Sequence, residues 1–304
     1  MSVNPKVRLL DRRTPPHIAT LILMAGVGAL SLNVFLPSLP TMAEHFGVEY
    51  GAMQLAVSLY LATTAIVQIA VGPLSDRFGR RPVVFVTTAI FILASLGVIY
   101  APNFAVFLTC RLLQTAIATG FVMSRAIVRD MVPQDQAASM IGYVTMGMAL
   151  VPMVGPMLGG AVDELFGWHA TFLVLIIAGI GVFTLVYFDQ GETLASGGLS
   201  FRDQIRGYPA LFCSPRFWGY ALCAAFASGA FFALLGGASF IAGTVYGLSP
   251  LWSGIAIGAP PMGYALGNWM SGKYSARLGI NAMALIGTLI IMGGLGTSLA
   301  LGLM

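Results

Sequence analysis

The stretch Gly72-Pro-Leu-Ser75-Asp76-Arg77-Phe-Gly79-Arg80-Arg81 has a counterpart, Gly272-Lys-Tyr-Ser275-Ala276-Arg277-Leu-Gly279, that aligns with it without a gap. Glycine, serine, arginine and glycine recur at the same four places in both copies. Each copy follows the second apolar segment of its half of the chain. A repeat of this kind indicates a membrane fold built by duplication, and chance similarity between two loops is the alternative.

Apolar segments flank both copies and make up most of the chain. Of the 304 residues, 58% are hydrophobic and 9% are charged, with a mean hydropathy of +0.87. Soluble domains carry about 25% charged residues, so a water-soluble protein and a disordered chain are both excluded. Because about 20 helical residues cross a bilayer, the pattern predicts nine spanning helices. They are 18–40, 51–73, 83–101, 103–124, 138–162, 169–188, 217–241, 251–271 and 281–303.

The basic residues predict the orientation of these helices. Fourteen of the fifteen fall on one side of the membrane, which the positive-inside rule makes cytoplasmic together with the N-terminus. They are Lys6, Arg8, Arg12, Arg13, Arg77, Arg80, Arg81, Arg125, Arg129, Arg202, Arg206, Arg216, Lys273 and Arg277. The opposite loops carry only Glu44, Glu49, Asp163 and Glu164 as charges. Basic residues scattered in this way reflect topology, so no nucleic-acid partner is expected.

The longest polar interruption divides the chain into two units. We predict a six-helix N-terminal bundle over 1–188, a cytoplasmic linker over 189–216, and three helices of a second bundle over 217–304. Four helices follow the first copy of the repeat and one follows the second. A symmetric protein would therefore have three more helices and about 390 to 400 residues in total.

Three motifs resemble those of the major facilitator superfamily. They are the 72–81 loop, Arg111-Leu-Leu-Gln114 in helix four, and Gly155-Pro156-Met-Leu-Gly159-Gly160 in helix five, the last being similar to a motif of drug:proton antiporters. Further segments resemble the Bcr/CflA drug-resistance subfamily: Leu36-Pro37-Ser-Leu-Pro40, Ser124-Arg-Ala-Ile-Val-Arg129-Asp130, Gly167-Trp168-His-Ala-Thr-Phe172 and Val245-Tyr-Gly-Leu-Ser-Pro250. The resemblance implies two six-helix bundles, alternating access, a location in the bacterial inner membrane, and export of small drugs against proton entry by a monomer.

We expect the 72–81 loop to act as a conformational latch. Its residues are Gly72, Asp76, Arg77, Gly79 and Arg80, and Asp76 is expected to pair with Arg129 or Arg125. The alternative is that Asp76 only offsets the neighbouring arginines at the lipid headgroups. In the second copy Ala276 replaces the acid, so a latch there would be weak or absent.

Within the spans, Arg111 is the only basic residue. A charge in the bilayer interior costs about 2.5–3.5 kcal/mol, so Arg111 should face protein or water and have a partner. Gln114 shares its helix face. The pair has either a structural role or a part in substrate and proton handling.

Helix one departs from the resemblance at Asn33. Members of the subfamily usually carry an acid shortly before the Leu-Pro dipeptide, and asparagine cannot titrate. Cationic drugs should therefore be poorer substrates than neutral or zwitterionic ones. Proton coupling would have to use Asp76, Asp130, Asp135, Arg111 or further helices; the alternatives are a facilitator without coupling and a non-transporting truncated membrane protein.

Candidate cavity residues are aromatic, Met or amide side chains in the spans, which suit lipophilic ligands, although packing or interface anchoring is the more frequent role. They are Gln54, Ser58, Tyr143, Met146, Phe226, Phe231 and Asn268. Neither a metal site nor an enzyme is expected: the three cysteines lack metal spacing and the histidines are isolated. The expected partners are a small drug-like molecule and the bilayer. No cofactor is expected, and a proton gradient is the expected source of energy.

Overall fold

The computed structural model describes residues 7–194, 209–210 and 212–302, and every regular element within them is a helix. The side chains of residues 134–136, 138–139, 149, 265, 268–269, 271–273, 275–277, 280, 298–299 and 301–302 lie outside this description. Seven of the described helices are long and apolar enough to cross a bilayer. The all-α membrane architecture predicted from hydropathy is thereby confirmed.

Six of these helices form the first half of the chain. They are α1 (Ile18–Phe46), α2 (Tyr50–Phe78), α3 (Arg80–Ile99), α4 (Phe104–Met131), α5 (Met140–Phe166) and α6 (Trp168–Asp189). Most of these helices are longer than the predicted spans. The prediction used the roughly 20 residues that cross the hydrocarbon core, and a helix can continue beyond that core. The largest consequence is at α2, which continues to Phe78, so that the predicted 72–81 loop narrows to a turn at Gly79.

The second half contains α7 (Pro215–Val245), α8 (Pro250–Gly258) and α9 (Pro260–Gly302). The predicted span 251–271 is divided between α8 and α9, because the helix is interrupted at Ala259 before two prolines. The described residues of the predicted span 281–303 lie in the part of α9 beyond Gly279, whose φ of 79° breaks the helix, and residue 303 lies outside the described residues. The structure therefore differs from the prediction in the break at Ala259, whereas the turn at Gly279 separates the two regions where the prediction places them.

The two copies of the repeat end on glycines with the same backbone conformation. Gly79 has φ 95° and ψ 154°, and Gly279 has φ 79° and ψ 161°. Positive φ is readily accessible to glycine and strained for other residues. The sequence repeat thus corresponds to a repeated turn between consecutive helices.

Two helices contain local breaks that matter for the site. In α1 a 3₁₀ turn at Leu36–Ser38 separates Ile18–Asn33 from Leu39–Phe46, because Pro37 cannot donate a backbone hydrogen bond. In α4 a 3₁₀ turn at Gln114–Ala118 begins three positions after Arg111. Each break contains a buried polar side chain, Ser38 in α1 and Gln114 in α4, that lies inside the first bundle.

The start of α1 is bonded to the end of α6. Asp189 is fully buried and accepts hydrogen bonds from the backbone N–H groups of Leu10 (2.7 Å) and His17 (2.8 Å) and from the Thr20 hydroxyl (2.6 Å). A carboxylate at a helix N-terminus is stabilised by the helix dipole and satisfies donors that have no partner within the helix. These bonds close the predicted cytoplasmic end of the bundle around α1.

Helix α1 is the centre of the first half, and α7 lies at the edge of the described chain. In the most apolar window of α1, 67% of the residues are buried inside the protein, against 11% in α7. The contacts between α7–α8 and the first half lie toward the end that carries Glu49 and Glu164. There the Tyr50 hydroxyl donates to the Gly236 carbonyl at 2.9 Å.

Candidate functional site

The polar centre of the first bundle is Arg111, whose side chain is fully buried. One terminal guanidinium nitrogen donates to the Gln114 Oε1 at 2.6 Å and lies 3.3 Å from the Ser31 hydroxyl. The other donates to the Ser31 carbonyl at 2.7 Å. The three-residue spacing of Arg111 and Gln114 brings their side chains together on one helix face, and the broken turn that follows α4's first part lets both face α1.

The network continues from Gln114 to α3 and from Arg111 to two aromatic rings. The Gln114 amide donates to the Ser95 hydroxyl at 2.7 Å. The guanidinium carbon lies 4.0 Å from the ring centroid of Phe35 and 4.2 Å from that of Tyr60, distances at which ring faces attract a cation. Four helices of the first half therefore hold one arginine. Sequence reasoning missed Ser31, Ser95, Phe35 and Tyr60 because each is distant in the chain.

Within the described residues no carboxylate forms an ion pair with Arg111, and its Nε has no hydrogen-bond partner. Its charge is offset only by neutral oxygens and ring faces. A buried cation without a counter-ion costs free energy that a structure can recover by binding a group of complementary charge. Electrostatically, the core of this half disfavours a second cation.

Asn33 lies two positions beyond Ser31, at the contact between α1 and α5. It is buried, its Nδ2 donates to the Ala29 carbonyl at 2.7 Å, and its Oδ1 has no partner. A Cβ placed on Gly155 would come within 3.5 Å of the Asn33 Cβ. The structure therefore places the predicted coupling position against the glycine motif of helix five.

Four residues of α5 lie where this helix contacts α1 and α8. We call them the α5 seam: Gly155, Pro156, Gly159 and Gly160. A Cβ on Gly159 would overlap the Val34 carbonyl of α1, and one on Gly160 would overlap the Pro250 carbonyl at the start of α8. In return, a Cβ on Gly254 of α8 would overlap the Pro156 carbonyl. Small residues here let backbones touch, so that α5 contacts both its own half and the other half.

The latch residues gather at the predicted cytoplasmic end of the bundle. Arg80 bonds Asp76 at 2.6 Å and Asp130 at 3.1 Å, and it also donates to the Ser75 hydroxyl. One arginine thus connects the end of α2, the start of α3 and the end of α4. The positive-φ turn at Gly79 places Arg80 where it can reach both acids.

Two members of the predicted latch are placed differently. Arg129 and Arg125 are exposed, and the ion pairs in the described part of the chain connect Asp76 and Asp130 to Arg80 instead. Arg77 lies over the ring of Phe78 at 5.2 Å. Gly72 has open space around the position of a Cβ. The difference arises because Arg80, one turn after Asp76, is already within reach, whereas the other two arginines point to solvent.

A carboxylate that sequence reasoning did not assign to the latch completes it. Glu192, just beyond α6, accepts hydrogen bonds from the backbone N–H groups of Arg80 (2.9 Å) and Arg81 (3.2 Å). A Cβ on Gly79 would overlap this carboxylate. Thr193 also reaches Asp130, at 3.4 Å. The first residues after α6, which lead to the second half, are therefore attached to the latch.

The predicted cavity residues do not gather around one enclosed space in the described chain. Tyr143, Met146 and Phe226 are exposed, Ser58 is exposed with its hydroxyl bonded to the Gln54 carbonyl, and the side chain of Asn268 lies outside the described residues. Gln54 faces Gly236 of α7, and Phe231 lies near Tyr264 with a centroid separation of 6.4 Å.

A separate open cleft of about 660 Å³ lies between α7 and α9. It is lined by Arg216, Gly219, Tyr220, Cys223, Asn281 and Ala284, none of them a predicted cavity residue. In the described residues no group of three or more His, Cys, Asp or Glu side chains could hold a metal ion.

Comparison with known proteins decides the family. The sequence profile of the Major Facilitator Superfamily matches residues 21–304. The chain belongs to this superfamily. An uncharacterised MFS-type transporter, YdgK of Bacillus subtilis, is 32% identical over 258 residues, which cover 83% of this chain and 64% of YdgK. The chloramphenicol resistance protein of Pseudomonas aeruginosa is 33% identical over 221 residues, covering 70% and 52%.

Further relatives confirm the resemblance to the drug-resistance subfamily. Multidrug resistance protein D of Escherichia coli is 29% identical over 84% of this chain and 65% of that protein, and a bicyclomycin resistance protein homolog of Haemophilus influenzae is 27% identical. The chain spans about half to two thirds of the length of these relatives. They are transporters and resistance proteins, so this superfamily chain is a multi-pass membrane protein related to transporters.

Solved structures show the same fold. A bacterial homolog of the human lysosomal transporter Spinster, in an inward-facing and occupied conformation, aligns with 87% of this chain and 62% of its own, with a TM-score of 0.71 and 21% identity. A peptide transporter in complex with alafosfalin gives a TM-score of 0.66 at 15% identity. The major facilitator fold predicted from the motifs is thereby confirmed.

Proposed function

We propose that this protein exports small neutral or zwitterionic drugs or metabolites across the bacterial inner membrane by alternating access, with its N-terminus in the cytoplasm and proton entry as the driving force. The observation that carries the proposal is the α5 seam. Glycines on both sides bring the backbones of α5 and α8 into contact, and a smooth seam between two bundles permits them to separate and close as units.

The names of the relatives support a drug-like substrate. Three of those described above are named for resistance to drugs, one of them to chloramphenicol and another to bicyclomycin. Resistance is the expected result when a membrane transporter moves a drug out of the cell. A similar substrate class is the simplest assignment for this chain.

The charge of the core supports neutral or zwitterionic substrates. Arg111 is a buried cation whose hydrogen-bond partners in the described chain are neutral groups, and Asn33 stands where an acid would attract a cationic drug. A permanent cation near Arg111 would be repelled by about 2 kcal/mol at 8 Å with an effective dielectric constant of about 20. A neutral molecule pays no such penalty.

Transport in proteoliposomes tests the proposal. The probes are chloramphenicol, which is neutral, and tetraphenylphosphonium, a permanent cation, with and without an imposed pH gradient. We expect the protein to move chloramphenicol against its gradient when protons flow the opposite way, and to move the cation poorly. Movement only down a gradient would indicate a facilitator, and no movement of any solute would favour a non-transporting membrane protein. Efficient export of the cation would refute the substrate assignment.

A further inference from the structure

Asp163 is a buried carboxylate in the last turn of α5. The fifth span predicted from hydropathy ends at residue 162, which places Asp163 among the charges of an external loop. In the structure the helix continues to Phe166, and Asp163 is only 6% exposed. It packs where α5 meets the 3₁₀ turn of α1, with the hydroxyls of Ser38 and Thr41 beside its carboxylate.

No cation in the described chain forms an ion pair with the Asp163 carboxylate, and only two neutral hydroxyls lie beside it. Its Oδ2 has no hydrogen-bond partner in the described chain. The neighbouring Glu164 is a second acid, and both lie at the C-terminal end of α5, where the helix dipole disfavours anions. From α1 only the two hydroxyls face it, and the α8 residues Pro250–Gly258 carry no charge. His169 stacks on the Trp168 ring and His45 contacts that ring edge-on, and neither histidine forms an ion pair with Asp163 in the described chain.

The same turn of α5 is hydrogen-bonded to the start of α8, in the second half of the chain. Glu164 accepts hydrogen bonds from the Ser249 hydroxyl at 2.7 Å and from the Leu251 backbone N–H at 3.1 Å, at the start of α8. Gly160, one turn earlier, touches the Pro250 carbonyl. If α8 moves away from α5, these contacts open and water reaches the end of α5. Asp163 therefore lies beside a contact that opening of this end must break.

We propose that Asp163 is a proton-binding site, and that its protonation from the external solution permits the extracellular ends of α1, α5 and α8 to close. This inference rests on the proposed function, because it assigns this end to the outside. When the end is open, a proton from external water binds the carboxylate oxygen and forms the neutral acid. The neutral acid is then enclosed without the cost of burying an uncompensated charge. When the end opens again, the proton returns to water.

This assignment gives the proton a role after substrate release. An exporter that has released its substrate outside must close that side before it can return for another molecule. A site that is filled by external protons and is enclosed only when filled makes this closure depend on proton entry. It supplies the titratable group that Asn33 cannot provide.

Cysteine labelling tests the proposal without any substrate. Ser253 is 2% exposed in α8 beside the α5 seam, and a Ser253→Cys variant, with Cys110→Ala, Cys213→Ser and Cys223→Ser to remove the native thiols, reports opening to a membrane-impermeant maleimide. We expect the labelling rate, corrected for maleimide reactivity on an exposed thiol, to rise with pH, with a limit of about tenfold per pH unit for one linked proton.

Matched variants assign the effect to one residue. Asp163→Asn carries the shape of the neutral acid, so labelling should be slow and independent of pH. Glu164→Gln weakens the contact with α8 but leaves Asp163, so labelling should be faster and still depend on pH. If Asp163→Asn fails to accumulate, Ser38→Ala takes its place: loss of a hydroxyl beside the carboxylate should move the midpoint of the labelling curve to higher pH.

The outcomes separate this inference from the proposed function. A flat curve in the parent protein, a pH-dependent curve in Asp163→Asn, or an unmoved midpoint in Ser38→Ala overturns the Asp163 assignment, whatever the protein transports. A pH-dependent curve that Asp163→Asn abolishes supports it, even if chloramphenicol export fails and the proposed substrate is wrong.

Discussion

The Glu192 carboxylate accepts a hydrogen bond from the backbone N–H of Arg80, 112 positions earlier in the chain, at 2.9 Å. A second bond, from Arg81, makes Glu192 the cap of the first turn of α3. Free N–H groups at a helix start attract an anion, both as donors and through the helix dipole. The chain that leads from the first bundle to the second is thereby fixed to the loop that the repeat motif identifies.

Replacing Glu192 should loosen this attachment. We expect Glu192→Ala to lower the thermal stability of the detergent-solubilised protein, with a loss of about 0.5–1 kcal/mol for an exposed cap. The melting midpoint can be followed by size-exclusion chromatography after heating. Glu44→Ala removes an exposed acid with no side-chain bond in the described structure and is the matched control. Equal midpoints for the two variants would show that the cap contributes nothing.

The turnover of Asp76→Ala and of Arg129→Ala tests which residues form the latch. Asp76→Ala removes one ion pair of Arg80 and leaves the other, to Asp130, so expression should be unchanged. Turnover should fall about tenfold, because a latch biases the two conformations by about 1–2 kcal/mol. The measurement is the initial rate of drug export in proteoliposomes.

The control for the latch is Arg129→Ala, which removes an exposed residue that pairs with neither acid in the described structure. Its turnover should be close to that of the parent protein. A tenfold loss in both variants would show that the functional latch is the Asp76–Arg129 pairing predicted from sequence and not the one in this conformation. Normal turnover in Asp76→Ala would show that Asp76 takes no part in a latch.

The glycines of helix five differ in the room around them. A methyl group on Gly159 would overlap the Val34 backbone, whereas one on Gly155 would lie at ordinary contact distance from Asn33. We therefore expect Gly159→Ala to cost about 1–3 kcal/mol of stability and to slow transport, and Gly155→Ala to be tolerated. Thermal midpoints and export rates of the two variants, compared side by side, check this. Equal effects would mean that the seam is less tightly packed than the structure has it.

The sequence contains the local features of this fold. Apolar segments of bilayer length predict the helices of the first half, and the repeated glycines at 79 and 279 predict the repeated turn. The spacing of Arg111 and Gln114 places them within 2.6 Å of each other on α4. In each case the determining interaction is between residues close in the chain, where helix geometry alone fixes the distance.

The features that could not be predicted from the sequence depend on contacts between residues that are far apart in the chain. Glu192 finds Arg80 only after six helices have assembled, and nothing near Glu192 in the chain indicates its partner. Asp163 falls in a predicted loop because the predicted span lengths follow lipid thickness and not helix length. Asp76 has several arginines within reach of its sequence position, and only the turn at Gly79 selects Arg80.

Arg111 should determine which charge the transporter tolerates. Arg111→Met removes a buried cation that has no ion-pair partner in the described chain, so export of tetraphenylphosphonium relative to chloramphenicol should increase. Repulsion of about 2 kcal/mol at 8 Å corresponds to a factor of about 30 in this ratio. Arg111→Lys keeps the charge but cannot bond Ser31 and Gln114 as a planar fork, so it should lower stability and leave the ratio unchanged. If both variants change the ratio equally, the geometry of the guanidinium, and not its charge, selects the substrate.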